Sequence, residues 1–256
     1  MKYAVIDIGS NSVRLLLWAD GCSLSKTVLT TRLGEGISFS PTLLPQAIDR
    51  TVAAISELQK KAQDFGAVKI YAFATAAVRS AVNGQDFIHT VYENCGIIPE
   101  ILSGEEEAEA GYLGALEGRD GGIIDVGGAS SEITIGKNGK IIYAVSADVG
   151  AVRLKDACGE DKQKLKNYID EKISVYGTVP YCPMTLIGGT ATSLAALEYG
   201  VEPYDPKVIH RSILTAEQIG FWAEKLLSMK QSERLILPDV TPIIKLGRMS
   251  RKQIRR

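Results

Sequence analysis

Two stretches of this chain, far apart in sequence, repeat one local design. Asp7-Ile8-Gly9-Ser10-Asn11-Ser12-Val13-Arg14-Leu15-Leu16-Leu17 is echoed by Asp125-Val126-Gly127-Gly128-Ala129-Ser130-Ser131-Glu132-Ile133-Thr134-Ile135. Each is a buried strand ending on an Asp, a Gly-containing bend with hydroxyls, and a strand running back. Each opens a half-chain in which strands come first and helices follow. A lone β-hairpin could look like this. Two hairpins that both set an Asp at the strand end and a Gly two residues on point instead to two similar α/β lobes facing each other across a cleft. No long structureless linker separates them, so the boundary is placed at Gly118–Gly121, giving lobes 1–119 and 120–256.

The coarse pattern fits this frame. Strands are expected over 2–8, 12–19, about 24–31, 69–74, 97–102, 122–126, 131–136, 140–147 and 184–187, with an Asn138-Gly139 hairpin turn. Helices are expected from Pro45 to Gly66, and over 104–117, 150–157, 160–175, 191–198 and 215–229. At 256 residues and 45% hydrophobic the chain can bury a substantial core. Four scattered cysteines without Cys-x-x-Cys, and only His89 and His210, argue against a zinc site or a redox dithiol. With no signal peptide pattern and no long apolar run, a cytoplasmic protein without a membrane partner is expected. The net charge of −1 gives no reason to expect nucleic acid. Residues 245–256 carry six basic and no acidic side chains, either a solvated tail or a polyanion-attracting one.

The two bends supply what a phosphate needs. Glycine lets backbone N–H groups approach closely, and Ser and Asn side chains add donors: Gly9, Ser10 and Asn11 in the first bend, Gly127, Gly128 and Ser130 in the second. Each bend also holds a carboxylate, Asp7 or Asp125. Carboxylate and phosphate repel unless a cation lies between, and hard oxygen donors suit Mg²⁺. A magnesium–phosphate site in the cleft follows. No Gly-x-x-x-x-Gly-Lys-Ser/Thr occurs, and Gly34-Glu35-Gly36 lacks a third glycine because Phe39 stands there, so neither a P-loop nor a dinucleotide fingerprint is present.

Three further segments join the site. Gly188-Gly189-Thr190 follows a strand and opens a helix, either an anion site using Gly189 and Thr190 or close strand–helix packing. In Ser103-Gly104-Glu105-Glu106-Glu107, Ser103 and Glu106 form a capping box, which leaves Glu107 without a structural task. Glu107 shares a helix face with Gly111 and Gly114, so it is expected to point into the cleft and orient or deprotonate a water; a solvated face is the bland alternative. Arg79, just past a buried strand, is placed to pair with a phosphate or to make a surface salt bridge, and Arg32 is a weaker candidate.

On these residues the chain resembles the exopolyphosphatase / guanosine pentaphosphate phosphatase (Ppx/GppA) family of the actin-like, sugar-kinase and heat-shock-chaperone superfamily. The matching segments, in family order, are Asp7–Ser12, Arg32–Gly36, Ala74-Thr75-Ala76-Ala77-Val78-Arg79, Ser103-Gly104-Glu105-Glu106-Glu107-Ala108, Asp125–Glu132 and Gly188–Thr192. The resemblance implies two lobes of ribonuclease-H-like topology. It also implies removal of a terminal phosphate from polyphosphate or guanosine pentaphosphate. It assigns Glu107 to water activation, Asp125 and Glu132 to the divalent metal and catalysis, with Asp7 as a further metal candidate, and Arg79, Gly127 and Ser130 to phosphate, with Asn11 as a further contact. A homodimer is a common assembly among such relatives. The usual Gly-Gly-Gly-Ser-Thr-Glu reads Gly127-Gly128-Ala129-Ser130-Ser131-Glu132 here, which keeps small residues and the hydroxyl. Family members continue past Leu-Pro-x-x-Thr-Pro into an Arg-Ala-Asp segment and a helix returning to the first lobe. Here Leu237–Pro242 is followed by Ile243–Arg248 and the basic end, so that helix and any further helical domain are expected to be missing. An ATP-dependent kinase or ATPase of the same superfamily, and a non-catalytic polyphosphate- or alarmone-binding module, are the alternatives.

Overall fold

A computed structural model describes residues 1–234 and Leu237. The Pro238–Pro242 run, the segment 243–248 and the basic end, on which the expected loss of the returning helix rests, lie outside the described residues. The first half holds β1 (Lys2–Ile8), β2 (Ser12–Ala19), β3 (Cys22–Thr30), α1 (Pro45–Asp64), β4 (Lys69–Ala74), α2 (Ala76–Ser80), α3 (Gly84–Cys95) and β5 (Glu100–Ile101). Then come α4 (Gly104–Leu116), β6 (Gly121–Val126), β7 (Ser131–Lys137), β8 (Lys140–Ala147), α5 (Ala151–Cys158) and α6 (Lys162–Ile173) with a 3₁₀ turn at Ser174–Tyr176. The chain continues through β9 (Met184–Ile187), α7 (Gly188–Tyr199), α8 (Pro206–Ile209), α9 (Ala216–Ser228) and α10 (Gln231–Arg234).

The echo in the sequence is an echo in topology. One sheet has the order β3-β2-β1-β4-β5 and the other β8-β7-β6-β9. In each, two antiparallel hairpins lead to a parallel neighbour of the first strand, β4 beside β1 and β9 beside β6. This is the two-lobe α/β arrangement expected.

The first sheet is stabilised by burial of one face, the one shared by cross-strand partners. Ala4, Ile6 and Ile8 of β1, Val13 and Leu15 of β2, and Ala72 and Ala74 of β4 join one continuous core with Ile55, Leu58 and Ala62 of α1 and Phe87 and Val91 of α3. Each such large side chain contributes on the order of 1.5–3 kcal/mol by leaving water. Pro45 at the first turn of α1 and the spacing of its buried residues are what the sequence led one to expect. Helix α3 was not expected. Its N-cap is Asn83, whose side chain makes no cap bond because it pairs with the Leu43 backbone, Gly84 packs against the Val78 carbonyl, and left-handed Gly96 closes the helix. The strand expected over 97–102 shrinks to two residues. Helix α7 starts directly at Gly188 rather than at residue 191.

Helix α4 carries Glu107 near its start and packs along the second sheet, against β6, β7 and β8. Tyr112 is fully buried and its ring covers Gly136 of β7, where no side chain would fit. Gly111 lies against Ile123, whereas Gly114 faces open space, so only the first of these glycines serves a close approach. Among the described residues no helix is long and apolar enough to cross a membrane, and all four cysteines are free.

Candidate active site between two bends

The two bends have the same internal bond: Gly9 N–H donates to Ser12 O at 3.1 Å, and Gly127 N–H to Ser130 O at 2.9 Å. They also meet. A methyl group placed on Gly128 would lie 3.1 Å from Ser10 Cβ and 3.2 Å from Asn11 Cβ. Ser10 and Ser130 are buried there. The amide N–H groups of Ser10, Asn11, Gly128 and Ala129 have no acceptor among the described residues. Asn11 Oδ1 is buried without a hydrogen-bond partner. Unpaired amides converging from two bends form a cradle for an anion.

Each bend is held from behind. Gly34 N–H donates to Ser10 O, and Thr31 and Arg32 N–H to Asn11 O, at 2.8–3.1 Å. Ala151 N–H donates to Gly127 O, and Val152 and Arg153 N–H to Gly128 O, at 2.7–3.1 Å. Gly150 lies so close to the Gly128 carbonyl that no side chain would fit.

Strand register places the acids. Asp7 pairs across the hairpin with Arg14, and Asp125 pairs with Glu132 in the equivalent slots. Arg14 Nη1 donates to Asp7 Oδ2 at 2.9 Å, and both side chains are half-exposed. Glu132 instead faces another acid. Burial, opposed by hydroxyls of Ser130 and Ser146 and reinforced by Glu107 and Asp125, pushes its carboxyl up to about 7. The Ser146 Oγ–H donates to Glu132 Oε1 at 2.7 Å. Asp125 is also raised by burial, eased by the Arg14 guanidinium across the cleft and reinforced by Asp7. The backbone of Gly188, at φ +83°, abuts the Asp125 carboxylate and explains the glycine there.

Glu107 is 29% exposed and accepts from Arg79 Nη1 at 3.0 Å. The same nitrogen donates to Leu102 O at 2.7 Å, so Arg79 is fixed while its Nε and Nη2 make no bond among the described residues. Burial raises the Glu107 carboxyl; Arg79 opposes this, and Asp7 and Asp125, one from each bend, add to it. The capping box is present: Ser103 Oγ accepts from Glu106 N–H, and Glu106 Oε2 from Ser103 N–H. That interaction holds Glu106 at the helix start and leaves Glu107 facing the bends.

The structure therefore gathers Asp7, Ser10, Asn11, Arg79, Glu107, Asp125, Gly127, Gly128, Ser130 and Glu132 around one point. Gly189 and Thr190 stand in the first turn of α7, after a strand and at a helix start as the sequence placed them. Thr190 lies at the start of α7 with its hydroxyl donating to Val126 O at 2.9 Å, so that hydrogen is not offered to a ligand. Gly189 is in the first turn of α7, where its carbonyl accepts from Ser193 Oγ. Ser130 turns its hydroxyl to Glu132. Arg32 adopts φ +53° and uses its amide to hold Asn11. The sequence reading expected helix α5 but missed Arg14, Ser146 and the part α5 plays in holding the second bend. Arg14 was visible in the echo as the residue aligned with Glu132.

The donor set suits a hard divalent cation. Asp125 and Glu132 are neighbouring half-buried carboxylates with no ion pair among the described residues, and no three acids, histidines or cysteines there converge as a complete protein cage. Mg²⁺ is typically held by one or two carboxylates together with substrate phosphates and waters, so the residues fit such an ion. Beside the second bend, starting at Val126 and Thr190, lies a cavity of roughly 530 Å³, also lined by Ala151, Leu154, Leu165 and Leu226.

The model of the Ppx/GppA phosphatase family matches residues 20–243. Exopolyphosphatase 2 of Mycobacterium tuberculosis is 29% identical over 270 residues, spanning 94% of this chain and 84% of that protein. The crystal structure of an Aquifex aeolicus Ppx/GppA family member superposes with a TM-score of 0.73 at 31% identity, covering 91% of this chain and 81% of the other. An exopolyphosphatase from Cytophaga hutchinsonii shares the fold with a TM-score of 0.79 at 23% identity, covering 96% and 89%.

Proposed function

This chain belongs to the Ppx/GppA phosphatase family, and on that premise we propose that it hydrolyses the terminal phosphoanhydride bond of inorganic polyphosphate, guanosine pentaphosphate or both. The observation that carries this reading is the half-buried Glu107, paired to Arg79 at 3.0 Å and close enough to feel an acid from each bend.

The terminal phosphoryl group lies in the cradle of bend amides. Arg79 points its free Nε and Nη2 at an equatorial oxygen, and its Nη1 keeps Glu107 in place. Glu107 orients a water for in-line attack and takes its proton as the new P–O bond forms. The anhydride P–O bond breaks, and the shortened chain leaves with the bonding pair on its oxygen. The transition state of such transfers is loose, so positioning and electrostatics matter more than base strength. Asp125 and Glu132, with Asp7 as a further candidate, would hold a divalent cation such as Mg²⁺, which supplies charge neutralisation at the phosphate oxygens. Without the cation these half-buried acids repel the substrate.

The test is phosphate release from polyphosphates of several lengths, guanosine pentaphosphate and ATP. Release from the first two without ATP is expected. Replacing Glu107 with Gln should lower kcat by ~10²–10⁴-fold, the usual contribution of a positioned acid–base group, while calorimetric affinity for tripolyphosphate stays within about 3-fold. Near-normal turnover by this variant sinks the role. ATP turnover alone would favour the kinase or ATPase reading, and tight binding without turnover the binding-module reading.

One observation favours the guanosine substrate. The cavity beside Val126 and Thr190 sets apolar walls at Leu154, Leu165 and Leu226, on which a base could pack, next to Lys155, Lys162, Lys230 and Arg234, which would meet phosphates. Leu165→Trp, which fills it, should cut kcat/KM for guanosine pentaphosphate ~10-fold and leave tripolyphosphate within about 2-fold. Equal losses on both substrates would remove this preference.

A further inference from the structure

The loop that holds the first bend and the helix that holds the second are bonded to each other. Gly36 N–H donates to Asp156 Oδ2 at 2.8 Å, and Ser38 Oγ donates to Arg153 O at 3.3 Å. Residues 31–34 of that loop grip the first bend at Ser10 and Asn11. The first turn of α5 grips the second bend at Gly127 and Gly128, and Arg153 Nε donates to Ala129 O at 2.7 Å while its Nη2 meets Asp148 at 3.2 Å. Hydrogen bonds linked by short stretches of backbone thus connect the Ser10 carbonyl, through Gly34, Gly36 and Asp156, to the first turn of α5 and the Gly128 carbonyl. The central bond joins residues 120 positions apart. It is also the one made by a charged acceptor, the stronger kind. Gly36 reaches it in a left-handed conformation, φ +81°, which glycine adopts freely.

From this geometry we infer that Asp156 is a positioning residue: it clasps the 31–38 loop to α5 and so fixes the spacing of the two bends across the substrate. It touches neither phosphate nor Glu107. Its effect on turnover rests on the hydrolase reading above, whereas the clasp itself does not. A misplacement of about 1 Å at reacting groups can cost ~10²-fold in rate, so loosening one bend against the other acts on kcat more than on KM.

The test compares the full chain with Asp156→Ala and Asp156→Asn. Asparagine keeps an acceptor oxygen for Gly36; alanine does not. In hydrogen–deuterium exchange, Asp156→Ala should speed exchange across residues 33–38 by ~10-fold or more, with α1 unchanged, and Asp156→Asn should not. In phosphate release, Asp156→Ala should lower kcat ~10-fold with KM within about 2-fold, and Asp156→Asn should recover kcat to within about 3-fold of the parent. Unchanged exchange in Asp156→Ala overturns the clasp. Faster exchange with unaltered kcat, or equal kcat loss in both variants, overturns the positioning role. Should the alanine variant not fold, Asp156→Ser, too short to reach Gly36, carries the same comparison. A parent chain that releases phosphate from none of the substrates contradicts the function proposed above, and the exchange measurement still decides the clasp.

Discussion

The two bends share a backbone and differ in charge. Both close with a Gly-to-Ser hydrogen bond, and both start from an Asp. In the slot opposite that Asp, the first bend has Arg14 and the second has Glu132. Asp7 is consequently neutralised at 2.9 Å in a half-exposed pair, while Asp125 and Glu132 share an environment whose burial raises both carboxyls. Backbone duplication builds a symmetric cradle; one side-chain slot places a cationic partner beside the acid of the first bend and a second acid beside that of the second. The packing differs in the same sense. One face of the first sheet is part of a continuous core, whereas the small cluster of Ala195, Ala196, Leu197, Ile209 and Trp222 is built from α7, α8 and α9 and takes in no strand of the second sheet.

The sharpest way to break this comparison is to remove one acid at a time. Asp125→Asn should lower kcat ~10³-fold, and Asp7→Asn only ~10-fold, because Asp7 is already balanced by Arg14. Equal losses in a phosphate-release assay would mean that the bends are chemically equivalent. The next effect is on stability. The Glu132 carboxyl is raised from 4.5 to about 7 in the folded protein, so the folded state holds its proton more tightly than the unfolded chain does. Its burial therefore costs little below about pH 4.5, and the cost grows as pH rises toward 7. With cations chelated, Glu132→Gln should gain up to about 3 kcal/mol at pH 8 and almost nothing near pH 4.5. Urea unfolding at the two pH values checks it, and a gain that does not grow with pH would contradict the burial argument. The smallest effect belongs to the first bend: Arg14→Gln should change stability by less than about 1 kcal/mol in the same measurement, since the pair it breaks is half-exposed.

Much of this was legible in the sequence. The echo located the first hairpin of each sheet, the Asn138-Gly139 turn appears with both residues at positive φ, and the capping box singled out Glu107 by elimination. What was hidden depends on packing. A two-residue turn with unbroken pairing would set Val145 opposite Glu132. An irregularity between Ile135 and Gly136, where Tyr112 presses on the strand, shifts the register by one and brings Ser146 there instead. Helix α3 was missed although Asn83 precedes it and Gly96 ends it; in the fold the Asn83 side chain is committed to Leu43, a contact no local pattern announces. Asp156 was invisible for the same reason: nothing near it in sequence points to Gly36.

The Arg14–Glu132 slot has a consequence for how such a molecule is assembled. Two copies of the first half would face each other with a cation on both sides and attract no metal. Two copies of the second would confront acid with acid and expel the anion. The halves have ceased to be interchangeable, and only the unlike pair, joined in one polypeptide, completes the site.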